Sequence, residues 1–246
     1  MTIVALYSNK GGVGKTTTAV NLSYLAAQSG IRTLTCDLDP QSSATYYFRV
    51  KPKIKKGAKG FLKWGRTIDR SIKGTDYENL DLLPADFSHR NLDIIFATLK
   101  RSRSRLEKIM QPLESEYELI FVDSPPLINI LAENIFNTAD YLLVPLIPTT
   151  LSVRSHEQLL VFLDKAKYDL RRVYSFISMV DKRKKMHREI AISIYKHFDN
   201  VLQSPIPFLS LVERMGSERE PVPAFAPNSR AAIAYNDLWE EIQELI

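Results

Sequence analysis

The chain has 246 residues, 45% of them hydrophobic and 25% charged, which is enough apolar content for a sizeable buried core and fits one large α/β domain over residues 1–246. No stretch approaches 18 uncharged apolar residues, so a spanning helix is not expected. No basic-then-apolar leader precedes the first apolar run. The net charge of +5 hints at a polyanionic partner, and a lone cysteine, Cys36, excludes an internal disulfide and fits a reducing cytoplasm.

Thr2 to Tyr7 is apolar and β-branched and reads as a buried strand. Thr18 to Ser29 carries Ala19, Leu22, Leu25 and Ala26 at helical spacing and stops at Gly30, a residue suited to a left-handed helix end. Between them lies Lys10-Gly11-Gly12-Val13-Gly14-Lys15-Thr16-Thr17. Glycines between a strand and a helix let backbone N–H groups close around phosphate oxygens, with the positive end of the helix dipole behind them. In such a loop Lys15 would reach the β- and γ-phosphates and the Thr16 hydroxyl would ligate Mg²⁺. The loop departs from G-x-x-x-x-G-K-[ST] in that its first glycine position holds Asn9, followed by Lys10.

A second strand, Ile31 to Cys36, runs into Asp37-Leu38-Asp39-Pro40-Gln41 and so places carboxylates at the C-terminal edge of a parallel sheet, where α/β folds keep their ligands. Asp39 before Pro40 would also serve as a helix cap or turn. A basic insert of about 51–75 follows, with nine Lys and Arg between Lys51 and Lys73 opposed by Asp69. It fits a nucleic-acid footprint and a solvated pair of helices equally. Asn79 to Pro84 reads as a third strand turning at Pro84-Ala85-Asp86. Helices are expected from about Asn91 to Lys100 and on to about Glu116. Tyr117 to Asp123 is apolar and ends in an aspartate, a Walker B arrangement in which Asp123 holds Mg²⁺ through water. Strands at Tyr141–Pro148 and Val173–Met179 flank a helix from about Ser152 to Asp169, expected to bury Leu159, Leu160, Leu163 and Ala166. Ile206-Pro207 ends the last candidate strand, and a final helix from about Ser229 to Leu245 offers Ala232, Ile233, Leu238, Trp239 and Ile242 for packing.

Lys-Gly-Gly-Val-Gly-Lys-Thr resembles the deviant Walker A loop of ParA/MinD-type ATPases, most closely the ParA/Soj-like partition enzymes. The resemblance implies a mostly parallel, twisted sheet flanked by helices on both faces and an ATP-dependent homodimer in which Lys10 touches the partner's phosphates. It implies ATP and Mg²⁺ as ligands, Lys10, Lys15 and Asp39 as catalytic groups, and Asp39 as the residue that positions the attacking water. Asp123-Ser124-Pro125-Pro126 looks like the segment that senses the γ-phosphate. Residues Lys10 through Thr17 would cradle ATP, with Met179 and Pro207 beside the base. Arg230 falls where relatives carry an arginine for sequence-independent DNA contact, and Lys182, Arg183, Lys184, Lys185 and Arg188 form a basic patch that would join it. The partners implied are non-specific duplex DNA and a ParB-like activator or cargo adaptor, in a cytoplasmic, nucleoid-associated setting without an N-terminal helix-turn-helix domain. Two other readings stand beside this one: a MinD-like ATPase at a membrane surface, against which Glu240, Glu241 and Glu244 speak, and an ATP-dependent small-molecule enzyme on the same scaffold.

Overall fold

The first strand, β1 (Thr2–Leu6), has every residue from Ile3 onward buried, because it lies near the middle of the sheet with both faces covered. The computed structural model describes residues 1–51, 71–85, 87–99 and 102–246. Over these the strands are β1, β2 (Thr33–Asp37), β3 (Lys73–Gly74), β4 (Leu80–Leu83), β5 (Leu119–Asp123), β6 (Tyr141–Leu146), β7 (Val173–Ile177) and β8 (Val201–Leu202). They form one sheet in the order β3-β4-β2-β5-β1-β6-β7-β8. Only the short edge strand β3 runs antiparallel to its neighbour; the other pairings are parallel. The expected fold class is therefore the observed one.

Side chains alternate across β1, and each set finds its own layer of helices. Ile3, Ala5 and Tyr7 share a core with Leu34, Cys36, Ile120 and Val122. Over that face lie α3 (Leu92–Ala97), α4 (Arg105–Met110), α5 (Ile130–Thr138) and α6 (Thr150–Lys165), which contribute Phe96, Leu106, Ile135 and Leu159. Val4 and Leu6 face the other way with Phe121 and Leu143, under α1 (Lys15–Gln28) and α10 (Arg230–Gln243), which contribute Leu22, Tyr235, Leu238 and Trp239. At the β4 side, α2 (Ser43–Tyr47), α8 (Ser210–Glu218) and α9 (Val222–Phe225) close a third cluster around Val20, Leu82 and Val222. Helix α7 (Lys185–His197) follows β7.

Several expectations change here. The region before Glu116 is broken into short pieces: a 3₁₀ turn at Phe87–Asn91 precedes the six-residue α3, and α4 runs into another 3₁₀ turn at Gln111–Ser115. Strand β7 stops at Ile177, because Met179 takes a left-handed backbone (φ 54°) that turns the chain out of the sheet. No strand ends at Ile206-Pro207. The last strand is the two-residue β8, and Pro207, which lacks an N–H, makes only an isolated bridge with Val180. Ala166 and Ile233 are exposed, since α6 ends at Lys165 and Ile233 lies on the outer side of α10. The edge strand β3 and helix α5 carried too little local periodicity to be expected. Most of the basic insert (52–70) and the positions Asp86, Lys100 and Arg101 lie outside the described residues.

One buried group away from the strand tips gives a prediction. His156 on α6 has Nε2 3.0 Å from the Ser175 hydroxyl, its ring edge-on to Phe198, and no partner for Nδ1. Burial lowers its pKa from 6.5 to about 4. The folded protein thus binds fewer protons than the unfolded chain between these values, so the stability His156 allows is complete above pH 6.5 and is lost as pH falls toward 4. At about 1.4 kcal/mol per pH unit, wild type should lose about 3 kcal/mol more than His156→Gln over that window. Chemical denaturation of both proteins at a series of pH values measures it; equal slopes would contradict it.

Candidate functional site

The parallel strands deliver three chemical groups to one edge. β1 ends at the glycine loop, β2 ends at Asp37 and β5 ends at Asp123, and the register sets Leu6 and Asp37 both directly opposite Asp123. The chain order switches sides at β1, with β5 on one flank and β6 on the other, the place where open parallel sheets form a crevice. A cavity of ≈570 Å³ opens there, walled by Gly11 through Thr17, by Asp39, Pro40, Gln41, Ser43 and Tyr47, by Pro125, Pro126 and Leu127, and by Met179.

The loop geometry explains its glycines. Gly12 and Gly14 have φ of 70° and 96°. A Cβ on Gly14 would also lie 2.9 Å from the Ser178 hydroxyl, which is held in place by donating to the Val13 carbonyl at 2.8 Å. Ser178 thus packs the loop from behind, and no local signal in the sequence marks it for that. The Thr17 hydroxyl donates back to the Gly14 carbonyl (3.0 Å), Lys10 donates its N–H to the Ser8 hydroxyl (3.2 Å), and Ser155 of α6 donates to Asn9 Oδ1 (2.6 Å).

Lys15 is only 6% exposed, an unusual place for an ammonium group. Its Nζ donates to the Lys10 carbonyl at 3.3 Å. Burial lowers its pKa, while the negative charges of Asp123 and Asp39 pull it partly back up. Asp37 and Asp123 are fully buried. Burial pushes Asp37 up to about 7 despite the hydrogen bonds it accepts from the Thr45 N–H (2.9 Å), the Thr45 hydroxyl (2.7 Å) and the Asp39 N–H (3.1 Å). Asp123 is pushed well above the ordinary carboxylate range, first by burial and then by Asp37 across the register. The Thr16 side chain offsets part of this, although neither Asp123 oxygen has a hydrogen bond of full geometry.

Two buried oxygens without full hydrogen bonds, next to a threonine hydroxyl and a buried ammonium, form a donor set suited to one divalent cation and one polyanion. Thr16 and Asp123 fit Mg²⁺, and the loop with Lys15 fits the phosphates it would accompany. Asp39 is half-buried on the cavity wall. Its carboxylate accepts the Gln41 N–H (2.9 Å), so it serves the turn and faces the cleft as well.

The other expected site residues sort by position. Lys10 is not part of the cavity wall. Pro207 is also absent from it; it lines a separate small cavity of ≈70 Å³ with Thr17, Tyr235 and Met179, the last of which borders both spaces. Of the six basic candidates, Lys182, Arg183 and Arg230 line one groove of ≈740 Å³ together with the exposed side chains of Phe208 and Ile233, whereas Lys184, Lys185 and Arg188 do not. Arg183 is paired with Asp181 (2.9 Å) and Lys185 with Glu189 (3.6 Å), and Arg188 donates to the Lys182 and Arg183 carbonyls. Besides Ser178, Tyr47 belongs to the site without having been singled out by motif; it comes from α2 through tertiary packing alone. Among the described residues no helix is long and apolar enough to cross a membrane.

A family described as an AAA domain matches residues 1–176. The sporulation initiation inhibitor protein Soj of Bacillus subtilis is 29% identical over 246 residues, covering 98% of this chain and 97% of its own. A virulence plasmid ParA family protein of Chlamydia psittaci is 30% identical over 247 residues, covering 99% and 95%. In three dimensions, the septum site-determining protein MinD of Pyrococcus horikoshii, solved in complex with Mg-ADP, superposes with a TM-score of 0.81 at 22% identity, over 99% of this chain and 96% of that one.

Proposed function

Since the chain belongs to the ParA/MinD-type family of P-loop ATPases, we propose that it is a partition or positioning ATPase that dimerises on ATP, binds duplex DNA without sequence preference and is stimulated by a ParB-like activator or cargo adaptor. ATP and Mg²⁺ are its ligands. The observation that carries the reading is the convergence of the glycine loop, buried Lys15, Asp39 and partnerless Asp123 on one strand edge. In this reading 1–246 work as one ATPase unit, and the DNA-bound form is nucleoid-associated.

Each residue has a physical task in this reading. The backbone N–H groups of Gly11 to Thr17, at the start of α1, hold the phosphates. Lys15 places a poorly solvated positive charge against them, so its attraction is little screened. Thr16, and Asp123 through water, would hold Mg²⁺, which would supply charge neutralisation at the phosphates. Asp39, held by its own turn, orients the attacking water. Lys10 lies off the cavity wall, and its charge is thereby left for the phosphates of a second subunit. Met179 borders both the cleft and the small cavity with Pro207, which fits both residues for contact with the base. Nucleotide state would bias the dimer, and the dimer's doubled basic surface would bias DNA affinity.

Lys182, Lys184 and Arg230 make no ion pair among the described residues, so of the six basic candidates they are the freest to meet phosphate. The test is binding to a non-specific duplex in ATP and in ADP for wild type, Lys10→Ala and the double variant Lys184→Glu/Arg230→Glu. Binding is expected in ATP alone and is expected to vanish in Lys10→Ala. The charge-reversed variant should bind at least about tenfold more weakly, with a salt dependence shallower by about two. Binding absent in every state, with pelleting on anionic vesicles in ATP instead, would overturn the DNA reading in favour of a membrane surface.

A further inference from the structure

The loop after Asp123 borders the cleft through Pro125, Pro126 and Leu127, yet two of these three residues have no N–H to anchor it. A loop made of consecutive prolines can accept hydrogen bonds but cannot donate them, so any tether must come from donors elsewhere. The tethers lie at its two ends. At the near end the Ser124 hydroxyl donates to the Leu6 carbonyl, and at the far end the Tyr7 hydroxyl donates to the Leu127 carbonyl at 3.1 Å. Both contacts join the loop to the end of β1, the strand that continues directly into the glycine loop. The Tyr7 ring is fully buried and set edge-on against Phe136 of α5, with centroids 4.6 Å apart and planes at 83°. Its hydroxyl therefore has little freedom to seek another partner. Beyond the tether Leu127 and Ile128 are 55% and 47% exposed, so burial of their side chains does little to hold the loop.

We propose that Tyr7 is a positioning residue: its hydroxyl pins the Pro125–Leu127 segment to β1, keeping the glycine loop and the loop after Asp123 at a fixed separation across the phosphate cleft. The inference rests on reading Asp123–Pro126 as the segment that answers to the terminal phosphate.

The experiment compares the full-length protein with Tyr7→Phe, which removes only the hydroxyl, and with Phe136→Leu, which loosens the ring but keeps the hydroxyl. Amide hydrogen exchange is read residue by residue, and ATP turnover is measured alongside it. The Leu127 N–H, which donates to the Pro125 carbonyl at 2.9 Å, reports on the loop, and the Phe121 N–H within β5 reports on global opening. In Tyr7→Phe, exchange at Leu127 should rise about fivefold relative to Phe121, the factor that one net hydrogen bond supplies. kcat should fall by a similar factor with KM for ATP unchanged. Phe136→Leu should lower the melting temperature and raise exchange at Leu127 relative to Phe121 by less than Tyr7→Phe does. Leu127 and Phe121 accelerating together in Tyr7→Phe, or neither changing, would overturn the pin. A selective rise at Leu127 with unaltered kcat would overturn its positioning role. Absence of turnover in the wild type would instead count against the ATPase reading and leave the exchange comparison to decide the pin.

Discussion

Lys15→Met is expected to lose about 10³-fold in affinity for an ATP analogue while the nucleotide-free protein melts at the same temperature or higher. The loss corresponds to two charge-assisted hydrogen bonds at about 2 kcal/mol each. The unchanged or increased stability follows from where the lysine lies. Its ammonium is almost wholly removed from water, and burial lowers its pKa even with Asp123 and Asp39 beside it. A methionine fills much of the same volume without that desolvation, and replacing buried charge by apolar groups is often neutral or stabilising. Asp123 is not left as a stranded anion, because burial and Asp37 already push it well above the ordinary carboxylate range and it can hold a proton instead. Isothermal titration with the analogue and a thermal melt without it separate the two effects. Unchanged affinity would remove Lys15 from the phosphate site. A variant that fails to fold would show that the lysine serves the structure.

Asp39 offers a sharper separation of roles, because its carboxylate already has structural work. It accepts the Gln41 N–H, and its own N–H donates to Asp37. Asp39→Ala removes both the turn and the charge, whereas Asp39→Asn keeps an acceptor for Gln41 and removes only the charge. If Asp39 orients the attacking water, both variants should lose about 10³-fold in turnover, the range for a displaced general base, and both should keep analogue affinity within about threefold. Asp39→Asn with wild-type turnover would reduce Asp39 to a turn residue. Single-turnover measurements with saturating nucleotide make the comparison independent of product release.

Much of the strand-edge chemistry was legible in the sequence because it is local. Thr2–Leu6, the glycine loop and α1 are contiguous, and periodicity, glycine placement and the loop's lysine and threonine specify a phosphate-binding turn without help from the rest of the chain. Likewise, an apolar run ending in aspartate places Asp123 at a strand tip wherever that strand goes. Continuous apolar strands fit a parallel sheet, since strands covered on both faces cannot alternate polar with apolar residues, and the resemblance of the glycine loop implied the rest of the architecture. Elements with weak periodicity were not legible. β3 has two residues, α5 follows a proline loop, and the region before Glu116 breaks into turns.

Only the tertiary structure decided which residues meet. The β2–β5 register puts Asp37 opposite Asp123; burial raises the pKa of both carboxylates, and Asp37 pushes Asp123 up further. Ser178 is 165 positions from the Val13 carbonyl it binds, and Tyr7 is 120 from Leu127. No spacing rule in one chain reports such contacts. The structure also divided the basic candidates, setting Lys182, Arg183 and Arg230 along one groove and tying Arg183 and Lys185 to carboxylates. A sequence states how many cations there are; their pairing and direction depend on long-range packing, which fixes the distances on which electrostatics acts.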